Sequence, residues 1–247
     1  MNQWVATNSR PGQLRLAEND VHVWRANLDI DPAALNHLFS HLSTEEKARA
    51  TRFVSPTDRN RFAVARAILR ELLGAYLHLP PANITIQAAA YGKPALCLGP
   101  GVADVRFNLS HSHGLALYAF TLQREVGIDV EKIQPQLATE DSGERYFSAR
   151  EREGLRAIPS KLRTEAFFLC WTRKEAYIKA RGAGLNIPLD SFDVTLTPNE
   201  AAVLTSTDSE MWELHSLRPQ PGFVGALVVE TPGSQLHFWE WPLPRPL

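Results

Sequence analysis

Two carboxylates one residue apart interrupt an apolar run in this chain: Asp129 and Glu131 in the octet VGIDVEKI. Val126, Ile128 and Val130 alternate with Gly127, Asp129 and Glu131, the pattern of a strand with one apolar face. Both acids then point the same way, behind a glycine that clears space. Like charges held on one face look out on water or hold a cation. A third acid lies in CWTRKEAYIKARGAGL, where Trp171, Glu175 and Lys179 recur every four residues and share a helix face. Two carboxylates from a strand and one from a helix suit magnesium, which binds few protein groups and keeps waters or phosphate oxygens. No histidine–cysteine cluster stands out in the sequence to prefer zinc. The plainer reading of Glu175 and Lys179 is an exposed ion pair worth a few tenths of a kcal/mol.

Cationic and hydroxyl side chains complete the set. NLSHSHGLALYAF places Ser110, His111, Ser112 and His113 at the end of a strand-like run. The serines favour hydrogen bonding to an anion over a metal; a polar turn is the bland alternative. YGKPAL sets Lys93 between Gly92 and Pro94, a rigid turn that presents an ammonium or is merely a surface turn. Lys47, Arg49, Arg52, Arg59, Arg61 and Arg66 crowd around one long helical segment. Such a run is commonly a solvated face, yet it is dense for a chain of net charge −1. Phosphate is the simplest common target for these cations and a magnesium ion.

The elements that must position these groups follow from caps and periodicity. DVHVWRANLD reads as a first strand, and DPAALNHLF as a helix with Asp31 as N-cap and Pro32 at its first position. Ser43 with Glu46, and Ser148 with Glu151, form capping boxes. From Asp58 to Leu77, Phe62, Ala65, Leu69, Leu72 and Tyr76 share a face, predicting a buried helix; a second runs from about Thr164 to Ala180 and stops at Gly182 and Gly184. FDVTL, WELHSL, FVGALVVE and HFWEW close the chain as strands. The glycine-led strands at Gly114 and Gly222 are 108 residues apart (222 − 114), and the same shift largely superposes the two long helices. An α+β chain of two lobes, 1–122 and 123–247, each a long helix on a small antiparallel sheet, explains the repeat; convergent patterning would too.

At 247 residues and 44% hydrophobic composition, the chain can bury a sizeable core, and its near-neutral charge excludes a general attraction to polyanions. No apolar run approaches a membrane span, and no signal-like segment follows Met1. Cys97 and Cys170 cannot make a metal quartet; with leucines and Trp171 beside them they read as core thiols of a reducing, cytoplasmic protein.

YGKP, FNLSHS, GIDVE and WTRKEAYIKARGAGL, in this order, resemble the motif set of the phosphopantetheinyl transferases, specifically the two-lobed, surfactin-synthetase-activating type. The match runs from about Lys47 to Asp193. The resemblance implies two similar lobes related by a pseudo-twofold axis, in one monomeric chain. It implies transfer of the 4′-phosphopantetheine arm of coenzyme A to a serine of an apo acyl or peptidyl carrier protein, releasing adenosine 3′,5′-bisphosphate. Asp129, Glu131 and Glu175 would hold magnesium with the pyrophosphate; Lys93, Ser110 and His111 would contact coenzyme A. Lys179 would attend the departing bisphosphate, and Glu175 would also receive the serine proton. Arg49 and Arg61 fall near the family's basic residues for the 3′-phosphate. Glu151 matches an acid of the family, or serves only its capping box. Two other readings share these residues: a magnesium-dependent phosphohydrolase, and a module that binds coenzyme A or a carrier without catalysis.

Overall fold

The computed structural model of the chain describes residues 4–6, 14–97, 99, 103–138, 140–231 and 233–241. Its helices are α1 (Pro32–Phe39), α2 (Thr44–Ala50), α3 (Pro56–Leu77), α4 (Glu140–Tyr146), α5 (Ala149–Ala157) and α6 (Ser160–Arg181). The strands are β1 (Val5–Ala6), β2 (Asp20–Asn27), β3 (Ile86–Ala88), β4 (Pro94–Leu96), β5 (Val105–Ser112), β6 (Leu115–Leu122), β7 (Val126–Lys132), β8 (Asp193–Val194), β9 (Leu204–Thr205), β10 (Trp212–Leu217), β11 (Phe223–Glu230) and β12 (Gln235–Glu240). The architecture is mixed α+β.

The predicted caps form. Asp31 accepts the Ala33 N–H at 2.7 Å, and both Ser43/Glu46 and Ser148/Glu151 make complete capping boxes. Helices α3 and α6 each run 22 residues, and each ends on a residue in the left-handed conformation, His78 and Gly182. Their starts are 104 residues apart rather than 108, because the segments between helix and glycine-led strand differ in length.

Alternation along the strands builds a stack of layers. On β6, Ala116, Tyr118 and Phe120 face α3, while Leu115, Leu117 and Ala119 face the other sheet. On β11, Ala226 and Val228 pack toward α6, and Leu227 and Val229 turn toward Val21 and Val23 of β2. The order is therefore helix, sheet, sheet, helix, with an apolar layer at each junction.

Three features depart from the sequence reading. The first sheet has the order β1-β12-β2-β6-β5, and β12 runs parallel to β2, Leu236 opposite Val21. This sheet is mixed, not purely antiparallel, and residues 123–247 do not stay with the three-stranded β10-β11-β7 sheet. A parallel pairing of strands more than two hundred residues apart leaves no local signal. FDVTL shrinks to the two-residue β8, and Cys97 is exposed, so Cys170 alone of the cysteines is a core thiol.

Candidate active site

The acid strand β7 lies between α6 and β5. Gly127 is the closest approach: a Cβ there would stand 2.1 Å from the Ala176 carbonyl oxygen and 2.2 Å from the Ala180 nitrogen. The glycine makes room for the helix backbone, not for a cation as its place beside the acids suggested. This contact brings Glu175 and Lys179 of α6 up to the acids of β7.

On the other side, side chains of β5 replace a backbone ladder between two separate sheets. Asn108 Oδ1 accepts the Ile128 N–H at 2.9 Å. Ser110 Oγ donates to Asp129 Oδ1 and Ser112 Oγ donates to Glu131 Oε2, both at 2.8 Å; Ser112 also accepts the Lys132 N–H. The anion that these serines were expected to bind is thus, in this arrangement, the protein's own pair of carboxylates. Asn108 is a neighbour that sequence reasoning left without a role; its signal is the polar residues at every second position of an otherwise apolar strand.

Lys179 crosses from α6 to donate to Asp129 Oδ1 at 2.6 Å and to Ser110 Oγ at 3.1 Å. It does not form the surface pair with Glu175 one turn away. Asp129 is 3% exposed, and its second oxygen, Oδ2, is buried without a hydrogen-bond partner among the described residues. Burial, then the charge of Asp129, pushes the Glu131 carboxyl up to about 7. The same two causes raise Glu175. The cluster is short of positive charge, and the unmatched Asp129 oxygen fits a hard cation. Among the described residues the three carboxylates do not form a set with all ligand oxygens within 4.8 Å; the Lys179 ammonium is lodged on Asp129 instead.

The remaining predicted residues divide. His111 opens to solvent, yet the protein around it, followed by the charges of Lys179 and Arg61, holds its imidazole below the ordinary range. Arg61 is gripped by Asp29 through two hydrogen bonds, 2.7 and 2.8 Å. Arg49 lies over the Phe62 ring, 5.2 Å to the centroid, in a cleft shared with Arg66, Gln87 and Gly92. Lys93 corrects the turn reading: its ammonium points inward to Glu125 Oε2 (2.7 Å) and the Val126 and Ala180 carbonyls. Its three donors are spent where α6 ends and β7 begins. Glu151 is likewise committed, to the Ser148 and Val194 N–H groups and to Lys174 at 2.8 Å, so its role is structural.

A paired-acid strand, a helix bearing Glu175 and Lys179, and nearby arginines thus meet in one place, an arrangement able to hold a phosphate-bearing group. Comparison with known proteins gives the family. Residues 125–228 match the family model of the 4′-phosphopantetheinyl transferase superfamily, and residues 29–123 that of a 4′-phosphopantetheinyl transferase N-terminal region. The 4′-phosphopantetheinyl transferase HetI of Nostoc sp. is 39% identical over 232 residues, 94% of this chain and 97% of that one. The transferase Sfp of Bacillus subtilis is 30% identical over 78% of this chain and 84% of its own length. A holo-(acyl-carrier-protein) synthase from Bacillus anthracis, in complex with CoA (3′,5′-ADP), aligns with 43% of this chain and 96% of its own at 24% identity and a TM-score of 0.37. The chain belongs to the 4′-phosphopantetheinyl transferases, of the Sfp type. It transfers phosphopantetheine from coenzyme A to a carrier protein.

Proposed function

We propose that Asp129, Glu131 and Glu175 hold magnesium with the pyrophosphate of coenzyme A, while Ser110, His111, Arg49 and Arg61 meet its phosphates. The carrying observation is the buried Asp129 carboxylate, with one oxygen shared by Ser110 and Lys179 and the other unmatched. Bound there, magnesium would neutralise the pyrophosphate and so ease attack on phosphorus. Lys93, whose donors are committed, joins the halves rather than binding the donor.

The acceptor serine oxygen bonds to the phosphorus nearest pantetheine as the bond from that phosphorus to the bridging oxygen breaks. The serine proton passes to the Glu175 carboxylate. The electron pair leaves on adenosine 3′,5′-bisphosphate. Lys179, on the site's open edge with its side chain 28% exposed, stabilises that charge as it develops. No helix of the described residues is long and apolar enough to cross a membrane. We further assign a cytoplasmic setting, a monomer, and two lobes related by a pseudo-twofold axis; the matching strand orders β5-β6-β2 and β10-β11-β7 support the last.

The test is one incubation of the protein with coenzyme A, magnesium and an apo acyl carrier, read by intact mass. Gain of one phosphopantetheine, stopped by a chelator and restored by excess magnesium, is expected. Breakdown of coenzyme A with the carrier unmodified would replace the reading with hydrolysis. Both left intact would reduce it to binding.

A further inference from the structure

The other 22-residue helix carries an acid at the position that Glu175 holds in α6. Glu175 is the sixteenth residue of Ser160–Arg181, and Glu71 is the sixteenth of Pro56–Leu77. Two histidines meet Glu71: His37 in the last turn of α1 and His41 four residues on, their rings 4.9 Å apart at 75°. One ligand atom from each of His37, His41 and Glu71 lies within 4.8 Å of the other two. His41 Nδ1 stands 3.0 Å from Glu71 Oε1, yet this buried nitrogen makes no hydrogen bond. His37 is exposed and leaves a way in from solvent.

We infer that His37, His41 and Glu71 form a transition-metal site of the zinc type, separate from the acid strand. Two imidazoles and one carboxylate, with a fourth position open, are a ligand set zinc takes and magnesium does not. The histidine–cysteine cluster missing from the sequence is replaced by a histidine–glutamate one, whose third member is thirty residues away from the second (71 − 41). A dication there would staple α1 to α3. A second His-containing cluster, Asp20, His22 and His237, does not share these features. There His22 Nδ1 is engaged by the Tyr76 hydroxyl, and Asp20 accepts the Ala17 N–H and meets His237.

The test uses the full chain stripped of metal by a chelator, then titrated with Zn²⁺ or Co²⁺ alone. One ion per chain should bind, and Co²⁺ should give the visible absorption of a low-coordinate nitrogen–oxygen site. His37→Ala, at an exposed position, and the isosteric Glu71→Gln should each weaken binding by more than about 100-fold, beyond the 10–100-fold typical of losing a group that merely supports a ligand. Asp129→Asn should leave the Zn²⁺ affinity unchanged, which separates this site from the catalytic one. Melting temperature should rise with Zn²⁺ in the parent and not in His37→Ala. Absence of binding, or equal binding in the parent and both ligand variants, would overturn the assignment. Loss of Zn²⁺ binding in Asp129→Asn alone would also overturn it, by moving the ion to the acid strand.

Discussion

The two halves of this chain solve the same structural problem with the same parts, and differ where chemistry begins. In the first, the capping-box Glu46 receives Arg70 at 2.5 Å, and Arg70 also donates to the Pro81 and Ile84 carbonyls. In the second, the capping-box Glu151 receives Lys174, which donates to the Leu189 and Phe192 carbonyls. Each device ties a short helix, a long helix and the following loop through a buried cation, and Glu46 receives Arg66 as well. Strand registers carry the comparison further. Asp129 pairs with Ala226 as Trp24 pairs with Tyr118, at equivalent places in the two sheets. Where one half buries an indole donating to the Tyr76 hydroxyl, the other buries a carboxylate. The framework is shared, and the reactive face is a local replacement on it.

The two buried cations differ in what remains when each is removed. Lys174→Met leaves buried Glu151 with no cation and should lose about 3–5 kcal/mol in denaturant unfolding, whereas Arg70→Met leaves Glu46 paired with Arg66 at 2.6 Å and should lose less. An equal or larger loss from Arg70→Met would break this reading of the two devices. Asp129→Asn should preserve the fold but lower turnover by about 10²–10³-fold at saturating magnesium, the scale of removing one preorganised charge contact. Near-normal turnover would remove the acid strand from the chemistry. Lys179→Met keeps much of the stem and loses the charge; kcat should fall by about 10²-fold, with coenzyme A affinity changing much less. Equal falls in both would make Lys179 a binding group rather than one that acts as the bisphosphate leaves.

The smallest effect belongs to the half that lacks the acid strand. Burial, followed by the charge of His237, holds His22 down to about 4, against the opposing pull of Asp20. The unfolded chain therefore binds the extra proton more readily. Stability from a neutral His22 is complete above about 6.5 and is lost as pH falls through about 4, to at most about 3 kcal/mol. Unfolding titrations of the parent and His22→Gln between pH 7.5 and 4 should differ in slope with that sign. Parallel curves would show that His22 titrates freely.

What the sequence disclosed was local. Asp129 and Glu131 sit two residues apart on a strand, Glu175 and Lys179 four apart on a helix, and each capping box spans three positions. Those spacings are set by backbone period alone. The meeting of Lys179 with Asp129 was not legible, because it depends on how closely α6 rides over Gly127. Lys93 misled for the same reason: the Ala180 carbonyl that claims it lies eighty-seven residues away. The pairing of Ser110 and Ser112 with the acids depends on two sheets meeting at an edge, which no single-segment pattern records.

The return of β12 to the first sheet has a consequence in time. A ribosome adding about 5–20 residues each second takes on the order of 10–40 s between completing β2 and delivering the strand that lies beside it. Until then one edge of β2 offers its unpaired amides and carbonyls to any neighbouring chain. Synthesis of this enzyme therefore has a vulnerable interval that closes only when β12 is made, and a translational pause between β2 and β12 should raise the aggregated fraction more than the same delay placed before β2.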